Sequence, residues 1–250
     1  MFLAIVKTSL RETTRQRFFW LLVASAPALV LVAALFPARL TTSRELVTSL
    51  TPSVGLALSL TYALIWGIGS LGKTRFVWSA ERWGAFPGSS PGLLMAQGLG
   101  QSLGLLLVWC LVLSTSTLWL GEWPAQQPAG WSLWLIPILQ GLELLWVARL
   151  LGAALPSGAA MVALGALVVL APWVESEWQT AAWKPWVTAF FPSIQDLDTL
   201  RAEGSPSAWS MLRAIGHATL WVISCNLLTS WFLERQGRLA AELDRRPERA

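Results

Sequence analysis

Residues 93–120 read LLMAQGLGQSLGLLLVWCLVLSTSTLWL, a run of 28 residues without one charged side chain. A helix needs about 20 apolar residues to cross the hydrocarbon core of a bilayer, and this run is longer than that. Its apolar residues are continuous, whereas the lipid-facing strands of a membrane barrel alternate with a period of two. The run therefore predicts a transmembrane α-helix.

Five other stretches have the same apolar character. They lie at about residues 18–36, 54–72, 131–151, 158–174 and 209–233. The helix-breaking sequence Pro156-Ser157-Gly158 separates the fourth span of the chain from the fifth. We therefore expect an all-α, multi-pass integral membrane protein with six transmembrane helices in one domain, residues 1–233, followed by a basic cytoplasmic tail, residues 234–250.

The composition supports a membrane protein. Hydrophobic residues make up 54% of the chain and charged residues 13%, and the mean hydropathy is +0.54. An ordinary soluble domain has about 25% charged residues. Most soluble classes of protein are thereby excluded.

The Lys and Arg residues indicate the orientation in the membrane. If the N-terminus is cytoplasmic, 13 of the 18 basic residues, Arg149 among them, lie in inner segments. This excess follows the positive-inside rule and places both termini in the cytoplasm, at a cytoplasmic (inner) membrane of bacterial type. The same bias explains the pI of about 9.7 and removes the reason to expect nucleic acid as a partner.

The segment before the first span, residues 1–17, predicts an amphipathic helix. Its apolar face carries Phe2, Ile5, Val6 and Leu10, and its other face is charged. We expect such a helix to lie against the inner leaflet, with an unstructured cytoplasmic leader as the alternative. The segment is long and no convincing cleavage site follows, so a removed signal peptide is not expected.

A nucleotide-binding motif also occurs in the sequence. Residues 67–74, GIGSLGKT, match the P-loop pattern GxxxxGK[ST]. A P-loop lies between a buried strand and a helix, but here an apolar run precedes the motif. We therefore expect Gly67, Gly69 and Gly72 to let a neighbouring helix approach closely, and Lys73 to reach the inner headgroups.

The inner segment that follows, residues 73–91, reads KTRFVWSAERWGAFPGSSP and is too polar to span a membrane. It combines charged residues with four aromatic side chains. A short cytoplasmic helix with exposed aromatics is typical of a docking surface for a partner. A loop whose aromatics dip into the membrane is the alternative.

Three polar side chains within the spans are candidates for function: Glu143, His217 and Asn226. A carboxylate inside a membrane is costly and marks a functional or pairing role. For Glu143 we expect an interhelical hydrogen bond, and a substrate or proton role remains open. Arg149 lies six residues further on, which does not place it on the same helix face. The lone histidine is more typical of a structural role.

Catalytic and metal-binding constellations are not expected. One His, three Asp and two isolated cysteines supply neither a catalytic triad nor metal-ligand spacing. The sequence therefore predicts that the chain is not an enzyme and binds no metal.

The outer side of the protein is rich in tryptophan, of which the chain has 17 against one tyrosine. Most of these residues are expected to form an aromatic belt at the outer membrane surface. The belt residues are Trp119, Trp123, Trp131, Trp134, Trp173, Trp178, Trp183, Trp186 and Trp209.

A long polar segment, residues 174–208, precedes the last span. Its apolar part suggests re-entry into the outer leaflet followed by a short helix, and an outer gate is one interpretation. The gate candidates are Trp183, Trp186, Phe191 and Pro192. A plain connector is the alternative.

In their order, these features resemble the ABC-2 type permease family, the membrane subunits of ABC exporters. An amphipathic helix runs into the first span. Residues 80–84, Ala-Glu-Arg-Trp-Gly, precede Pro87-Gly-Ser-Ser and the start of the third span, as in the coupling region of the family. The family often shows Glu-Arg-Glu-Arg-Gly-Thr where this chain has Glu-Arg-Trp-Gly-Ala, residues 81–85. Residues 190–200, FFPSIQDLDTL, precede the last span as in the family's final third.

The resemblance implies a permease that does no chemistry itself. ATP and Mg²⁺ would be bound by a separate ATPase subunit, with no cofactor in this chain, and a second permease copy or a related permease would complete the transporter. The ATPase-coupling residues would be Arg75, Trp78, Glu81, Arg82, Trp83, Gly84 and Phe86. An outer accessory protein is a further partner if the complex transmits ATPase motion across the membrane without export.

Two alternatives of other classes remain open at this point. One is an intramembrane enzyme that uses Glu143 with His217. The other is a structural membrane subunit without energy coupling. The sequence does not indicate a substrate.

Overall fold

The computed structural model describes residues 2–35, 43–69, 90–120, 132–177 and 208–244, and these residues form helices with short links and no strand. The helices are α1 (Phe2–Arg15), α2 (Arg17–Leu35), α3 (Ser43–Tyr62), α4 (Ser90–Leu120), α5 (Ser132–Ala154), α6 (Ser157–Glu177) and α7 (Ala208–Asp244). The last turn of α3 continues as a π-helical segment, Ala63–Ile68. The predicted all-α class is confirmed.

Four of the helices are long and apolar enough to cross a membrane. The four segments are Thr51–Ile68, Pro91–Leu118, Trp134–Ala154 and Met211–Gln236. Shorter apolar helical segments lie at Arg17–Ala28 and Ser157–Val169, at the first and fifth of the expected spans. The described part of the chain thus contains four helices that could cross a membrane, as expected of a membrane protein, and the count of six remains a prediction.

Prolines mark the helix ends less often than the sequence suggests. α5 ends at Ala154 and α6 begins at Ser157, so the predicted break at Pro156 is present. Pro52, which stands just before the second expected span at residues 54–72, lies inside α3, which begins at Ser43. α7 continues beyond residue 233 to Asp244, so the first part of the expected tail is helical.

The N-terminal helix α1 packs on α4 through small polar side chains. Ser9 and Thr13 are 6% and 2% exposed, and the Ser9 hydroxyl donates to the Gln97 carbonyl oxygen over 2.9 Å. A Cβ at Gly100 would lie 2.6 Å from the Ser9 Cβ, so only glycine lets the two backbones approach this closely. α1 therefore has a protein surface to pack on, and its contact with the inner leaflet remains a prediction.

Tryptophan contributes more to the core than the belt interpretation allows. Trp66, Trp109, Trp134 and Trp146 are all buried. The belt assignment is wrong for Trp134, which is 2% exposed and packs inside the bundle, whereas Trp209 is 75% exposed as a belt residue should be.

Two of the buried indoles lie against glycines of neighbouring helices. The ring of Trp109 on α4 lies over Gly55 of α3, and the ring of Trp146 on α5 lies over Gly98 of α4. A flat indole fits against a helix only where the facing residue has no Cβ. This accounts for the burial of such large side chains between closely spaced helices.

The P-loop-like motif begins in a helix rather than after a strand. The π-helical segment contains Gly67, where a Cβ would lie 2.7 Å from the Cβ of Ala148, so the predicted close approach is confirmed there. At Gly69 an added Cβ would have no atom of the described residues within 4 Å, so the close approach is not confirmed there, and Gly72 lies outside the described residues.

Candidate functional site

The structure brings two of the three intramembrane candidates together. Glu143 on α5 contacts His217 on α7, with 3.2 Å between Glu143 Oε1 and His217 Nδ1. The expected interhelical hydrogen bond of Glu143 is therefore present. Asn226 lies elsewhere, and its Nδ2 donates to the Pro91 carbonyl oxygen over 3.1 Å.

A tryptophan completes the first site, which we call the Glu143 cluster: Glu143, His217 and Trp221. The indole Nε1 of Trp221 donates to His217 Nε2 over 3.2 Å. The two residues are four apart on α7 and thus on one helix face. Because an indole can only donate, Nε2 is the accepting nitrogen, and a neutral His217 carries its proton on Nδ1. The Nδ1–H group then donates to Glu143 Oε1.

Glu143 keeps one oxygen without a partner. The residue is 2% exposed, and its Oε2 atom is buried without a hydrogen-bond partner in the part of the chain that the structure describes. A charged side chain at the centre of a span costs about 2.5–3.5 kcal/mol on insertion scales. A single hydrogen bond from His217 offsets only part of that cost, so the cluster is polar but incompletely satisfied.

A second site, the Arg149 cluster, was not expected from the sequence. It contains Arg149 of α5, Gln101 of α4 and Tyr62 of α3. The Arg149 side chain is 1% exposed, and its Nη1 donates to Gln101 Oε1 while its Nη2 donates to the Leu94 carbonyl oxygen over 3.0 Å. Arg149 was counted among the basic residues of an inner segment, but its guanidinium lies inside the helix bundle.

No carboxylate lies within ion-pair distance of Arg149 in the described part of the chain. Its charge instead faces an amide oxygen, a carbonyl oxygen and the Trp146 ring, whose centroid lies 5.2 Å from Cζ. The Nε atom of Arg149 has no hydrogen-bond partner within the described ranges. A buried cation held in this way depends on each of its few contacts.

Gln101 and Tyr62 extend the Arg149 cluster to the π-helical segment. The Tyr62 hydroxyl donates to the Gln101 carbonyl oxygen over 2.7 Å. The side-chain amide of Gln101 donates to the Trp66 carbonyl oxygen over 3.3 Å, within the segment where the helix widens. Gly104 leaves the space that the Tyr62 hydroxyl occupies. One glutamine thus joins α3, α4 and α5.

These contacts share a pattern that we call the carbonyl ladder: four backbone carbonyl oxygens near the start of α4, each bonded by a side chain from a different helix. The four carbonyls belong to Pro91, Leu94, Gln97 and Gln101, and the donors are Asn226 of α7, Arg149 of α5, Ser9 of α1 and Tyr62 of α3. Spacings of three and four residues place the carbonyls on one side of α4. The start of α4 is therefore tied to four other elements at once.

The remaining candidates of the sequence cannot be placed in this way. The coupling residues, from Arg75 to Phe86, and the outer gate candidates Trp183, Trp186, Phe191 and Pro192 lie outside the described residues. Arg149, Gln101, Tyr62 and Trp221 are the residues that sequence reasoning missed. The signal for the first two was available, since a charged or amide side chain inside an apolar span needs a polar partner.

The described residues offer no metal site. They contain no group of three or more His, Cys, Asp and Glu side chains that could hold a metal ion. Compared with known proteins, the chain matches no family model and no curated protein.

Proposed function

We propose that the chain is the transmembrane permease subunit of an ABC-2 type exporter, in which a separate ATPase subunit binds ATP and Mg²⁺ and drives the movement. The observation that carries the proposal is the carbonyl ladder. α4 begins at Ser90, directly after the segment that resembles the coupling region of the family. A force applied to that segment would therefore act first on the part of α4 that carries the ladder.

The ladder gives such a force a path into the bundle. A hydrogen bond from each of α1, α3, α5 and α7 to the same two to three turns of α4 makes these elements move with α4 rather than slide along it. Packed helices respond to a local push by rigid-body shifts between discrete arrangements. An energy-coupled permease needs this property, and a lipid-embedded anchor does not.

The proposal assigns roles at both membrane surfaces. Glu81 and Arg82 would make polar contacts in a groove of the ATPase, with Trp78, Trp83 and Phe86 as apolar anchors. A second permease copy would complete the pathway, with both termini of each chain in the cytoplasm. The Trp-rich outer segment would serve as an outer gate or bind an accessory protein.

The first experiment tests association with an ABC-type ATPase subunit, which we expect a gene beside that of this chain to encode. Replacing Glu81, Arg82 and Trp83 with alanine is expected to reduce the co-purified ATPase by about tenfold or more, because interface hot spots are worth about 2 kcal/mol or more each. The matched control replaces Arg201 and Glu203 in the outer segment with alanine. Unchanged co-purification of the ATPase with the triple variant would contradict the proposal.

A second experiment separates transmission from association. Asn226→Leu removes the hydrogen bond to the Pro91 carbonyl oxygen and keeps a side chain of similar size. We expect this variant to bind the ATPase normally and to lose most of the stimulation of ATP hydrolysis in reconstituted membranes. Ser224→Ala, at an exposed position of the same helix, is the control. Full stimulation in Asn226→Leu would remove the ladder from the mechanism.

One observation favours the alternative of an intramembrane enzyme, and another opposes it. Glu143 and His217 are in contact, as a catalytic pair would require. However, His217 Nε2 accepts a hydrogen bond from Trp221 and is therefore not free to take a proton from a nucleophile. A structural subunit without energy coupling predicts that no ATPase co-purifies, so the first experiment addresses it.

A further inference from the structure

The Glu143 cluster has one open position. Glu143 Oε1 faces His217 Nδ1, whereas Oε2 is buried and has no hydrogen-bond partner among the described residues. A ligand that binds Oε2 without moving the helices can therefore be no larger than a proton. The size of the position, and not only its charge, selects the ligand.

Trp221 decides which member of the cluster can take up that proton. To become an imidazolium, His217 would need a hydrogen on Nε2, which already faces the N–H group of Trp221 at 3.2 Å. Two donors would then point at each other. As long as the indole stays in place, uptake at His217 breaks this hydrogen bond, whereas uptake at Glu143 Oε2 breaks none, so the carboxylate is the favoured acceptor.

We propose that the Glu143 cluster is a proton-binding site inside the membrane domain. The proton binds Glu143 Oε2, an O–H bond forms, and the carboxylate becomes a neutral carboxylic acid. His217 keeps its proton on Nδ1 and stays neutral, so the cluster changes from one negative charge to none. This site goes beyond the permease function proposed above and does not depend on it.

The surroundings of the cluster contain few other titratable groups. Cys225 of α7 lies close enough to Glu143 to interact with its charge. Arg213 lies one turn before His217 on the same helix, while Arg149 and Tyr62 belong to the other cluster on α5 and α3. The His217 side chain is 27% exposed against 3% for Glu143, so His217 lies on the more open side of the cluster.

The single histidine of the chain makes the test specific. We would label it with ¹⁵N, reconstitute the full chain in lipid vesicles and follow the imidazole nitrogens by NMR as the pH is lowered. Nitrogen shifts distinguish the two neutral tautomers from the imidazolium. We expect the Nδ1–H tautomer throughout, without an imidazolium signal.

Infrared spectroscopy follows the carboxyl group in the same samples. The difference between the wild type and Glu143→Gln is expected to show a carboxylic-acid C=O band that grows as the pH is lowered and shifts in D₂O. Glutamine has a similar shape and keeps an oxygen that accepts from His217. The absence of such a band at every pH at which the protein stays folded would overturn the proposal.

Trp221→Phe tests the role of the indole. This variant frees His217 Nε2, and we expect an imidazolium signal to appear on acidification. Trp209→Phe, at an exposed position of α7, is the control and should behave as the wild type. An imidazolium in the wild type, or none in Trp221→Phe, would refute the assignment. If Glu143→Gln fails to fold, the histidine signals of the wild type and of Trp221→Phe still test the proposal, because both proteins keep Glu143.

Discussion

Replacing Gly98 with alanine would push a methyl group into the indole of Trp146. The new Cβ would lie 2.6 Å and 2.8 Å from Cζ2 and Cζ3 of that ring, and closer still to Cη2. Carbon atoms of neighbouring side chains normally stay about 3.5–4.0 Å apart. The ring or α4 must therefore move by about 1 Å. Trp146 is 1% exposed, so it has no free space to move into.

The size of the effect follows from three contributions. Overpacking of a closed core costs about 1–3 kcal/mol. A displaced ring also weakens the 3.2 Å bond from Trp146 Nε1 to the Ser102 hydroxyl, worth about 0.5–1.5 kcal/mol. Alanine recovers at most about 1 kcal/mol through its higher helix propensity. We expect Gly98→Ala to lower the free energy of unfolding by about 1–3 kcal/mol.

The assay is unfolding of the purified chain in mixed detergent micelles, followed by tryptophan fluorescence. Gly165→Ala is the matched control, because no atom lies within 4 Å of its added Cβ, and it should be neutral or slightly stabilising. Combining Gly98→Ala with Trp146→Phe should cost less than the sum of the two changes, because the smaller ring removes the clash. Equal stability of Gly98→Ala and Gly165→Ala would refute the reasoning.

Two further predictions concern basic residues. Arg149→Lys should destabilise the chain by about 1.5–3 kcal/mol in the same unfolding assay, because one ammonium group does not reproduce the planar guanidinium that reaches both Gln101 and Leu94. The control is Arg235→Lys at an exposed position. An equally small loss of stability in both variants would contradict the role of the Arg149 cluster. We expect the isolated chain not to bind a fluorescent ATP analogue, with or without the change Lys73→Ala. If the wild type binds the analogue and Lys73→Ala abolishes this binding, the GxxxxGKT motif acts as a P-loop.

Much of the helical architecture could be predicted because it depends on local chemistry. Long apolar runs without charge form helices wherever water is excluded, and Pro156 interrupts one because its ring occupies the place of a backbone N–H. Pro52 shows the limit of this reasoning. Pro52 is the tenth residue of α3, where its missing N–H removes one backbone hydrogen bond. Contacts with neighbouring helices compensate for such a loss in a membrane helix, and so α3 extends further towards the N-terminus than the apolar pattern indicates.

The candidate sites depend on which faces of distant helices meet, and a single sequence does not contain that information. Glu143 was predicted to bond another helix, but nothing in its neighbourhood indicates a partner 74 residues away. Arg149 looked like an inner-surface residue because the positive-inside rule counts charge and not burial. Gly67 and Gly69 look equivalent in sequence, and only the position of α5 makes one a contact and the other open.

The carbonyl ladder also constrains how the protein is made. Its rungs at Gln97 and Gln101 take donors, Ser9 and Tyr62, that are synthesised before α4. The other two rungs wait for Arg149 and Asn226, and the last of these arrives more than 100 residues after α4 is complete. Since chains begin to fold from the N-terminus during synthesis, α4 first joins α1 and α3 and is locked only when α7 inserts. In a nascent chain that stalls before α7, the Pro91 carbonyl oxygen would lack the hydrogen bond from Asn226. Membrane quality control can recognise such an incompletely bonded bundle.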